Sequence, residues 1–166
     1  MIVVRHSPIH GNGVFATSAI PAGTRICDYL GEIIDLEEVE HRQKSADGND
    51  IYIMAIDEKY FIDATRLVEN NPARFINHSC DENCDAVWDP AEKRLKIIAK
   101  RNITPGEELS FDYGFELIDF FKHPCRCGSK NCCGYIVAKP LRGSLFKKLA
   151  KHNRAKRSLQ ISPDKK

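Results

Sequence analysis

Short apolar runs separated by turn residues make up most of the hydrophobic pattern of this chain, and such runs predict β-strands. Most of them are too short for a helix. The predicted strands cover residues 2–4, 14–16, 25–34 with an interruption at Gly31, 51–56, 60–62, 86–88, 95–99 and 108–111. The runs 86–88 and 95–99 lie on either side of Asp89-Pro90, so these two strands are expected to form a hairpin.

Two segments follow a helical pattern instead. Asp35 and Glu38 have the spacing of a capping box, which predicts a helix over residues 36–45. Leu141, Leu145 and Leu149 recur at helical spacing with lysines on the other face. The pattern predicts a mainly β domain of small sheets with few short helices. Strands and helices do not alternate, which argues against a doubly wound nucleotide-binding sheet.

The length of 166 residues suffices for one domain with an appendage. No apolar run approaches the roughly 18 residues of a membrane helix, and the N-terminal sequence MIVVRHSP lacks the pattern of a secretion signal. We therefore expect an intracellular protein without a membrane partner.

Charge divides the chain into two unequal parts. Residues 1–138 carry 15 Lys+Arg against 22 Asp+Glu, a net charge of −7, whereas residues 139–166 carry 10 against one, a net charge of +9. The acidic body favours a cationic partner, and the basic tail favours nucleic acid or another anionic surface. A solvated extension without a partner is the alternative interpretation of the tail.

The segment RFINHSCDENC, residues 74–84, holds the densest group of functional side chains. It includes an amide, an imidazole and a thiol in Asn77, His78 and Cys80. Exposed loops usually consist of glycine, proline and charged residues, so a loop of this composition is seldom only a connector.

Three cysteines near the C-terminus have the spacing of a metal site. Cys125, Cys127 and Cys132 lie on one glycine-containing stretch and supply three thiolates. A structural zinc site needs four ligands, and Cys80 is the natural fourth. The sequence predicts one structural Zn²⁺ held by these four residues, and a loop of unligated thiols is the alternative.

The chain has seven cysteines, and an odd number without a secretion signal favours metal ligation or free thiols over disulfides. Cys133 could substitute for Cys132 as a ligand. Cys27 and Cys84 are expected to be small buried residues.

Two further segments carry candidate functional residues. In the predicted turn His10-Gly11-Asn12-Gly13, two glycines permit close approach of the backbone to a ligand, although a plain tight turn is the simpler explanation. The sequence Phe111-Asp112-Tyr113-Gly114 ends a predicted strand. Tyr113 could point into a cavity there, and a core tyrosine is the alternative.

Taken in order, five segments resemble a SET-domain protein lysine methyltransferase with a post-SET zinc loop. They are IHGNGVFA (9–16), YLGEII (29–34), RFINHSCDENC (74–84), GEELSFDYG (106–114) and CRCGSKNCCG (125–134). SPIHGNGVF and RFINHSC are most similar to the trithorax type of histone methyltransferase. The resemblance implies a β-clip fold of small sheets with a C-terminal pseudoknot. It also implies a SET domain (1–116) and a post-SET zinc loop (117–138). The basic helical tail (139–166) is not part of the family pattern.

The resemblance implies S-adenosylmethionine as methyl donor and assigns residues to its binding. The backbone of the turn would lie along the donor through His10, Gly11, Asn12, Gly13 and Phe15. Asn77 and His78 would hold its amino-acid and adenine portions, and Tyr52 and Tyr113 would touch it.

The same resemblance implies the catalytic residues. Tyr113 would be the catalytic tyrosine, and Tyr29 and Tyr52 would line the channel for the substrate lysine. Phe111 occupies the position of a Phe/Tyr switch, and phenylalanine there is expected to give di- or trimethyl-lysine.

The implied substrate is a basic protein or peptide, such as a histone tail, with possible nucleic-acid contact through the basic tail. A nuclear or chromatin-associated location is expected, in the cell's own nucleus or in a host nucleus for a delivered effector, with a cytoplasmic location as the alternative. The competing hypothesis is a non-enzymatic SET-fold module that docks on chromatin or DNA through its tail.

Overall fold

The computed structural model describes residues 1–45, 52–66 and 70–160, with backbone alone at residues 153 and 155–160. Within these ranges ten short strands and two α-helices form the chain, joined by loops and three 3-10 turns. The strands are β1 (Ile2–His6), β2 (Asn12–Ala16), β3 (Arg25–Tyr29), β4 (Glu32–Asp35), β5 (Ile53–Ala55), β6 (Tyr60–Asp63), β7 (Asn77–His78), β8 (Cys84–Asp89), β9 (Arg94–Ala99) and β10 (Ser110–Phe111). The helices are α1 (Leu36–Ser45) and α2 (Arg142–Gln160).

The strands form four small sheets. β1 and β2 make an antiparallel hairpin, β9 lies between β3 and β8, and β6 lies between β4 and β5. The fourth sheet is the parallel pair of β7 and β10. The prediction of a mainly β fold of small sheets is therefore confirmed.

Local signals predicted several elements correctly. α1 begins and ends as expected, because the backbone N–H of Glu38 donates to Asp35 Oδ1 at 3.0 Å and caps the helix. The hairpin at Asp89 is β8–β9. β8 is longer than its apolar run at both ends, and β9 begins one residue earlier than its run. The predicted interruption at Gly31 separates β3 from β4. A side chain does not fit at this position, because a Cβ would lie 2.6 Å from the carbonyl oxygen of Asp63.

Several strand boundaries differ from the prediction. β2 already begins at Asn12, so the turn after β1 lies over residues 7–11, closed by a bond from the Ser7 N–H to Gly11 O at 2.9 Å. β5 is shorter than the predicted run 51–56, of which residue 51 lies outside the described residues. β10 keeps only Ser110 and Phe111, because Glu108 and Leu109 of the predicted run pair with Phe15 and Val14 of β2 instead.

The parallel pairing of β7 with β10 brings the middle of the chain beside a segment 33 positions later, with Asn77 opposite Ser110. Asn83 fastens this crossing. Its amide nitrogen lies 2.8 Å from Glu108 O and 2.9 Å from Glu107 Oε1, and its Oδ1 accepts the Ser110 N–H at 2.8 Å. Asn83 is almost fully buried, so these bonds satisfy a side chain that water does not reach.

Two apolar cores hold the molecule together. The larger core lies among the sheets and includes the fully buried Val14, Ile97 and Leu109. The smaller core combines Cys80, Cys133 and Val137 with Leu145 of α2, and Leu149 packs against it. The predicted helical spacing is thus confirmed for Leu145 and Leu149, which lie on the side of α2 that packs on the smaller core, whereas Leu141 ends the 3-10 turn (Lys139–Leu141) that precedes the helix.

No helix among the described residues combines the length and apolar character needed to cross a lipid bilayer.

Candidate functional site

A cavity of about 670 Å³ lies where the hairpin loop after β1, the ends of β3, β7 and β10, and α1 meet. This volume falls within the usual range for small-molecule sites. Most of the predicted catalytic and donor-binding residues line it: His10, Gly11, Asn12, Tyr29, Tyr52, Asn77, Phe111 and Tyr113. The structure therefore brings residues from widely separated segments to one wall.

Tyr113 stands at the centre of the aromatic part of this wall. Its ring centroid lies 5.1 Å from that of Phe111 and 5.8 Å from that of Phe115. Its hydroxyl donates to the carbonyl oxygen of Ile76 at 3.0 Å. Burial raises the pKa of Tyr113 above its ordinary value, so the phenol stays protonated at neutral pH.

Tyr29 and Tyr52 also line this cavity and contact each other. The Tyr29 hydroxyl donates to the carbonyl oxygen of Tyr52 at 3.1 Å, and burial raises the Tyr29 pKa. The Tyr52 ring packs edge-on against Phe75 with centroids 6.2 Å apart. These contacts fix both rings, so the aromatic wall is already in place.

Asn77 holds the hairpin loop against β7. Its amide nitrogen lies 3.2 Å from His10 O, 3.1 Å from Asn12 O and 2.9 Å from Glu108 Oε1. The hydroxyl of Ser7 donates to the same Glu108 oxygen at 2.7 Å. Asn77 therefore shapes the backbone of the loop that borders the cavity.

Three predicted donor-binding residues lie off the cavity wall. Gly13 packs against Glu108, with no room for a Cβ. Phe15, a residue of β2, is buried, and the guanidinium carbon of Arg5 lies 3.9 Å from its ring centroid. His78 lies behind Tyr113, and its ring is 5.5 Å from the Tyr113 ring.

His78 connects the tyrosine to the cysteines. Its Nδ1 accepts the backbone N–H of Tyr113 at 3.2 Å, so the neutral ring carries its proton on Nε2. That Nε2 lies 3.7 Å from Cys80 Sγ. Burial lowers the pKa of His78 to about 4, which keeps the ring neutral at physiological pH.

The four predicted metal ligands lie together. The sulfur atoms of Cys80, Cys125, Cys127 and Cys132 are all within 4.8 Å of one another. Zn–S bonds of about 2.3 Å in a tetrahedron place sulfurs about 3.8 Å apart. The Cys80 and Cys125 sulfurs are 3.8 Å apart, so the set fits the ligand chemistry of Zn²⁺.

The remaining cysteines have other surroundings. Cys133 Sγ lies 3.7 Å from Cys80 Sγ but outside the four-sulfur group, and it donates to the carbonyl oxygen of Tyr135 at 3.2 Å. Cys84 is fully buried in the larger core, and Cys27 is half-buried beside it.

The surroundings of Cys127 favour the thiolate form of its side chain. Burial opposes its ionisation, but hydrogen bonds from the Ser129 hydroxyl and the Cys80 backbone N–H outweigh burial and lower its pKa to about 6. The Cys80 N–H lies 3.4 Å from Cys127 Sγ. Metal ligands must be deprotonated, so this environment favours binding.

Arg74 is the main cavity residue that the sequence interpretation missed. Its guanidinium carbon lies 4.0 Å from the Tyr52 ring centroid, and its buried Nε and Nη1 have no hydrogen-bond partner among the described residues. A buried guanidinium with unused donors is suited to an anionic ligand group. Only its place in the dense segment 74–84 could have indicated this role.

Val39 and Gln43 of α1 also line the cavity and were not predicted. They are four positions apart, so they share one face of the helix. Val39 is the only buried residue of α1, and this apolar position between charged neighbours was the available signal.

Comparison with known proteins gives consistent matches. Residues 11–114 match the SET domain family. The chain is 42% identical over 137 residues to "Histone-lysine N-methyltransferase trithorax" of Drosophila virilis. It is 40% identical over 138 residues to "Histone-lysine N-methyltransferase 2B" of Homo sapiens. It is 43% identical over 136 residues to "Histone-lysine N-methyltransferase, H3 lysine-4 specific" of Schizosaccharomyces pombe.

These alignments cover 78–80% of this chain but only 4–14% of the relatives. The chain therefore corresponds to a small part of each of these larger proteins.

The cluster geometry predicts that Cys80→Ser weakens Zn²⁺ binding by at least about tenfold, because a hydroxyl replaces a thiolate in a four-sulfur set. Metal content and competition with a chelator measure the effect. Cys84→Ser serves as the control and should keep one Zn²⁺ per chain, since Cys84 lies outside the cluster. Full zinc stoichiometry and affinity in Cys80→Ser would contradict the assignment.

Proposed function

The chain belongs to the SET-domain family, and from this membership we propose that it is a protein-lysine N-methyltransferase that uses S-adenosylmethionine. The observation that carries the proposal is the single cavity in which Tyr113, Tyr29 and Tyr52 meet the 7–11 loop and Asn77. The names of the relatives, all histone-lysine N-methyltransferases, support the same reaction.

The residues of the cavity fit the proposed donor. S-adenosylmethionine supplies a methyl group on a cationic sulfonium, together with an amino-acid carboxylate. The unpartnered nitrogens of Arg74 would receive that carboxylate in a charge-assisted contact. The loop held by Asn77 offers backbone groups along the ligand, and Asn77 and His78 hold the segment that borders it.

The cavity would also favour the neutral lysine that the reaction needs. Lysine in water has a pKa of about 10.4, so most of it is charged at pH 7. The cavity lining includes no Asp or Glu within the described residues, and Arg74 adds a positive charge. Burial and like-charge repulsion both lower the pKa of an amine that enters, and its proton can leave through water.

Tyr113 would act as an orienting group rather than as a base. Its raised pKa keeps the phenol protonated, and its proton is directed to Ile76 O. The hydroxyl oxygen retains acceptor capacity for polarised groups in the cavity. With Tyr29 and Tyr52, its ring would surround the amine and favour methylated ammonium by cation–π contact.

Phe111 would determine how many methyl groups are added. It is buried, and its ring contacts that of Tyr113. A phenylalanine leaves space that a tyrosine hydroxyl would fill, so we propose that the product reaches di- or trimethyl-lysine.

A histone tail or another basic DNA-associated protein is the proposed substrate. The net charge of −7 over residues 1–138 favours a basic peptide, and the relatives' names mention histone lysine. A nuclear, chromatin-associated location follows from that substrate.

A structural Zn²⁺ held by the four-cysteine cluster would fasten the C-terminal loop onto the segment 74–84. We also propose the division into a SET domain (1–116), a post-SET loop (117–138) and a basic tail (139–166). The smaller core supports a close association of the last two, because Leu145 packs with Cys133 and Val137.

Nucleic acid is the proposed second partner. Lys147 and Lys151 are exposed on α2, on the side opposite Leu145 and Leu149. Phosphate contacts by such lysines release counterions and give salt-dependent binding. In the competing hypothesis of a non-enzymatic module, the protein would bind through these lysines of α2 without transferring a methyl group.

Transfer of labelled methyl from S-adenosylmethionine to histones or histone peptides tests the proposed reaction. Tyr113→Phe should lower kcat by about 100-fold or more while keeping donor affinity within a few fold, because only the hydroxyl is lost. Zinc-loaded wild-type protein that binds the donor but methylates no lysine substrate would contradict the proposal and favour the non-enzymatic module.

Replacement of Phe111 tests the proposed product state. Phe111→Tyr should keep the first methyl transfer but stop at monomethyl-lysine, because the added hydroxyl fills the space for a further methyl group. Mass spectrometry of a histone peptide at several reaction times gives the product distribution. An unchanged proportion of di- and trimethyl-lysine in Phe111→Tyr would show that another residue sets the limit.

Charge reversal on α2 tests the nucleic-acid contact. Lys147→Glu/Lys151→Glu should weaken binding to duplex DNA and reduce the slope of log K against log salt by about 2. Lys44→Glu/Lys59→Glu, with the same change in net charge on another surface, is the matched control. Equal effects of the two double variants would exclude a specific contact by α2.

A further inference from the structure

Arg142, the first residue of α2, joins three segments of the site. Its side chain is only 11% exposed. Nη1 donates to the carbonyl oxygen of Cys80 at 2.7 Å, and Nη2 donates to Asp112 Oδ2 at 3.0 Å. Nε donates to the carbonyl oxygen of Val137 at 3.1 Å. Each guanidinium nitrogen is therefore used on a different stretch of chain.

These three contacts lie next to the functional residues of the cavity and the cluster. Cys80 is one of the four clustered cysteines, and Asp112 immediately precedes Tyr113. Val137 belongs to the smaller core behind the cysteine loop. A guanidinium is planar and rigid, so it fixes the separation of the groups it binds.

Asp112 transmits this constraint to the tyrosine. Its Oδ1 accepts the backbone N–H of Gly114 at 3.1 Å, and its Oδ2 accepts that of Lys139 at 2.8 Å. Tyr113 lies between Asp112 and Gly114, and its own N–H is bound to His78 Nδ1. The backbone on both sides of Tyr113 is thereby held, and Arg142 supplies the positive charge that balances the half-buried carboxylate.

The helix that carries Arg142 is itself anchored. Leu145, one turn later, is fully buried against Val137 and Cys133, and Leu149 extends the contact. Arg142 lies outside residues 11–114, the part that matches the SET domain. The basic tail thus contributes an interior residue as well as an exposed surface.

We propose that Arg142 is a positioning residue for Tyr113: it holds Asp112 and the Cys80 carbonyl so that the phenol stays in place beside the cavity and the cysteine cluster stays in register with it. The proposal rests on the proposed methyl transfer for its kinetic consequence. Its structural consequence, an ordered segment at Tyr113, is independent of that reaction.

The expected effect is on the rate of transfer rather than on ligand binding. Displacement of a positioned group by about 1 Å can cost about 100-fold in rate. Arg142→Met should therefore lower kcat by 10- to 100-fold, with one Zn²⁺ per chain retained and donor affinity within about threefold. Arg142→Lys can keep the ion pair with Asp112 but not all three contacts, and its kcat should be intermediate.

The experiment compares these variants with Arg25→Met as the matched control. Arg25 also pairs with an aspartate, Asp28, at 2.8 Å, but it is exposed and does not line the cavity. Arg25→Met should keep wild-type kcat. Asp112→Asn should resemble Arg142→Met, and the double variant should lose less activity than the product of the two single losses, because both single variants remove the contact between Arg142 and Asp112.

Hydrogen exchange gives a readout that does not depend on activity. The Tyr113 and Gly114 amides should exchange at least about tenfold faster in Arg142→Met, whereas amides of β8 and β9 should keep wild-type protection. If Arg142→Met fails to fold, Arg142→Lys and Asp112→Asn supply the same comparison.

The proposal would be overturned by a kcat within twofold of wild type in both Arg142 variants, or by exchange at Tyr113 and Gly114 that does not change. A loss of activity that zinc loading fully restores would also overturn it, because Arg142 would then only retain the metal. If wild-type protein transfers no methyl group, the proposed reaction fails, and the exchange measurement alone decides the role of Arg142.

Discussion

The parallel pairing of β7 with β10 is the constraint on which the site depends. Two residues on each side are too few for a stable strand pair by themselves. Asn83 compensates with bonds to two backbone groups of the partner segment and one to its Glu107 side chain. The pairing places Asn77 at the hairpin loop, Phe111 at the cavity and His78 behind Tyr113. Without this pairing, the residues that border the cavity would lie apart in space.

Burial keeps most titratable side chains in and around the cavity neutral. Burial keeps Tyr29, Tyr113 and His78 uncharged near neutral pH. Arg74 is the exception, and its unused donors leave a buried positive group that an anionic ligand would satisfy. The carboxylates of Asp112 and Glu108 are bound by other side chains. Asp112 is bound by Arg142, and Glu108 accepts from Ser7 and Asn77.

Sequence alone predicted the features that depend on neighbours along the chain. The cap at Asp35 defined α1, and the apolar alternation around Asp89 defined the β8–β9 hairpin, because both signals act within a few residues. The cysteine spacing supplied three members of the cluster, and the separate Cys80 supplied the fourth by its chemistry. The family resemblance, rather than periodicity, supplied the pseudoknot and the candidate roles in the cavity.

Features that arise from distant contacts were beyond the sequence. Arg74 is distinctive because its nitrogens lack partners, which is a property of the folded surroundings. β10 is shorter than its apolar run because the first residues of that run pair with β2. Arg142 seemed to be one more cation in a basic tail, and only the closeness of Cys80 and Asp112 gives it an interior role.

The long spacing of these contacts also bears on how the molecule forms during synthesis. Cys80 must wait for residues 125–132 before its cluster can assemble, and the backbone beside it is bound by a side chain 62 positions later. Contacts between distant segments slow folding, since the intervening loop must first be closed. A ribosome-bound chain that ends before α2 lacks Arg142, so the carbonyl oxygen of Cys80 and the carboxylate of Asp112 would not yet have this partner. The residues around the cavity and the four cysteines thus come together only after segments far apart in the sequence have been made.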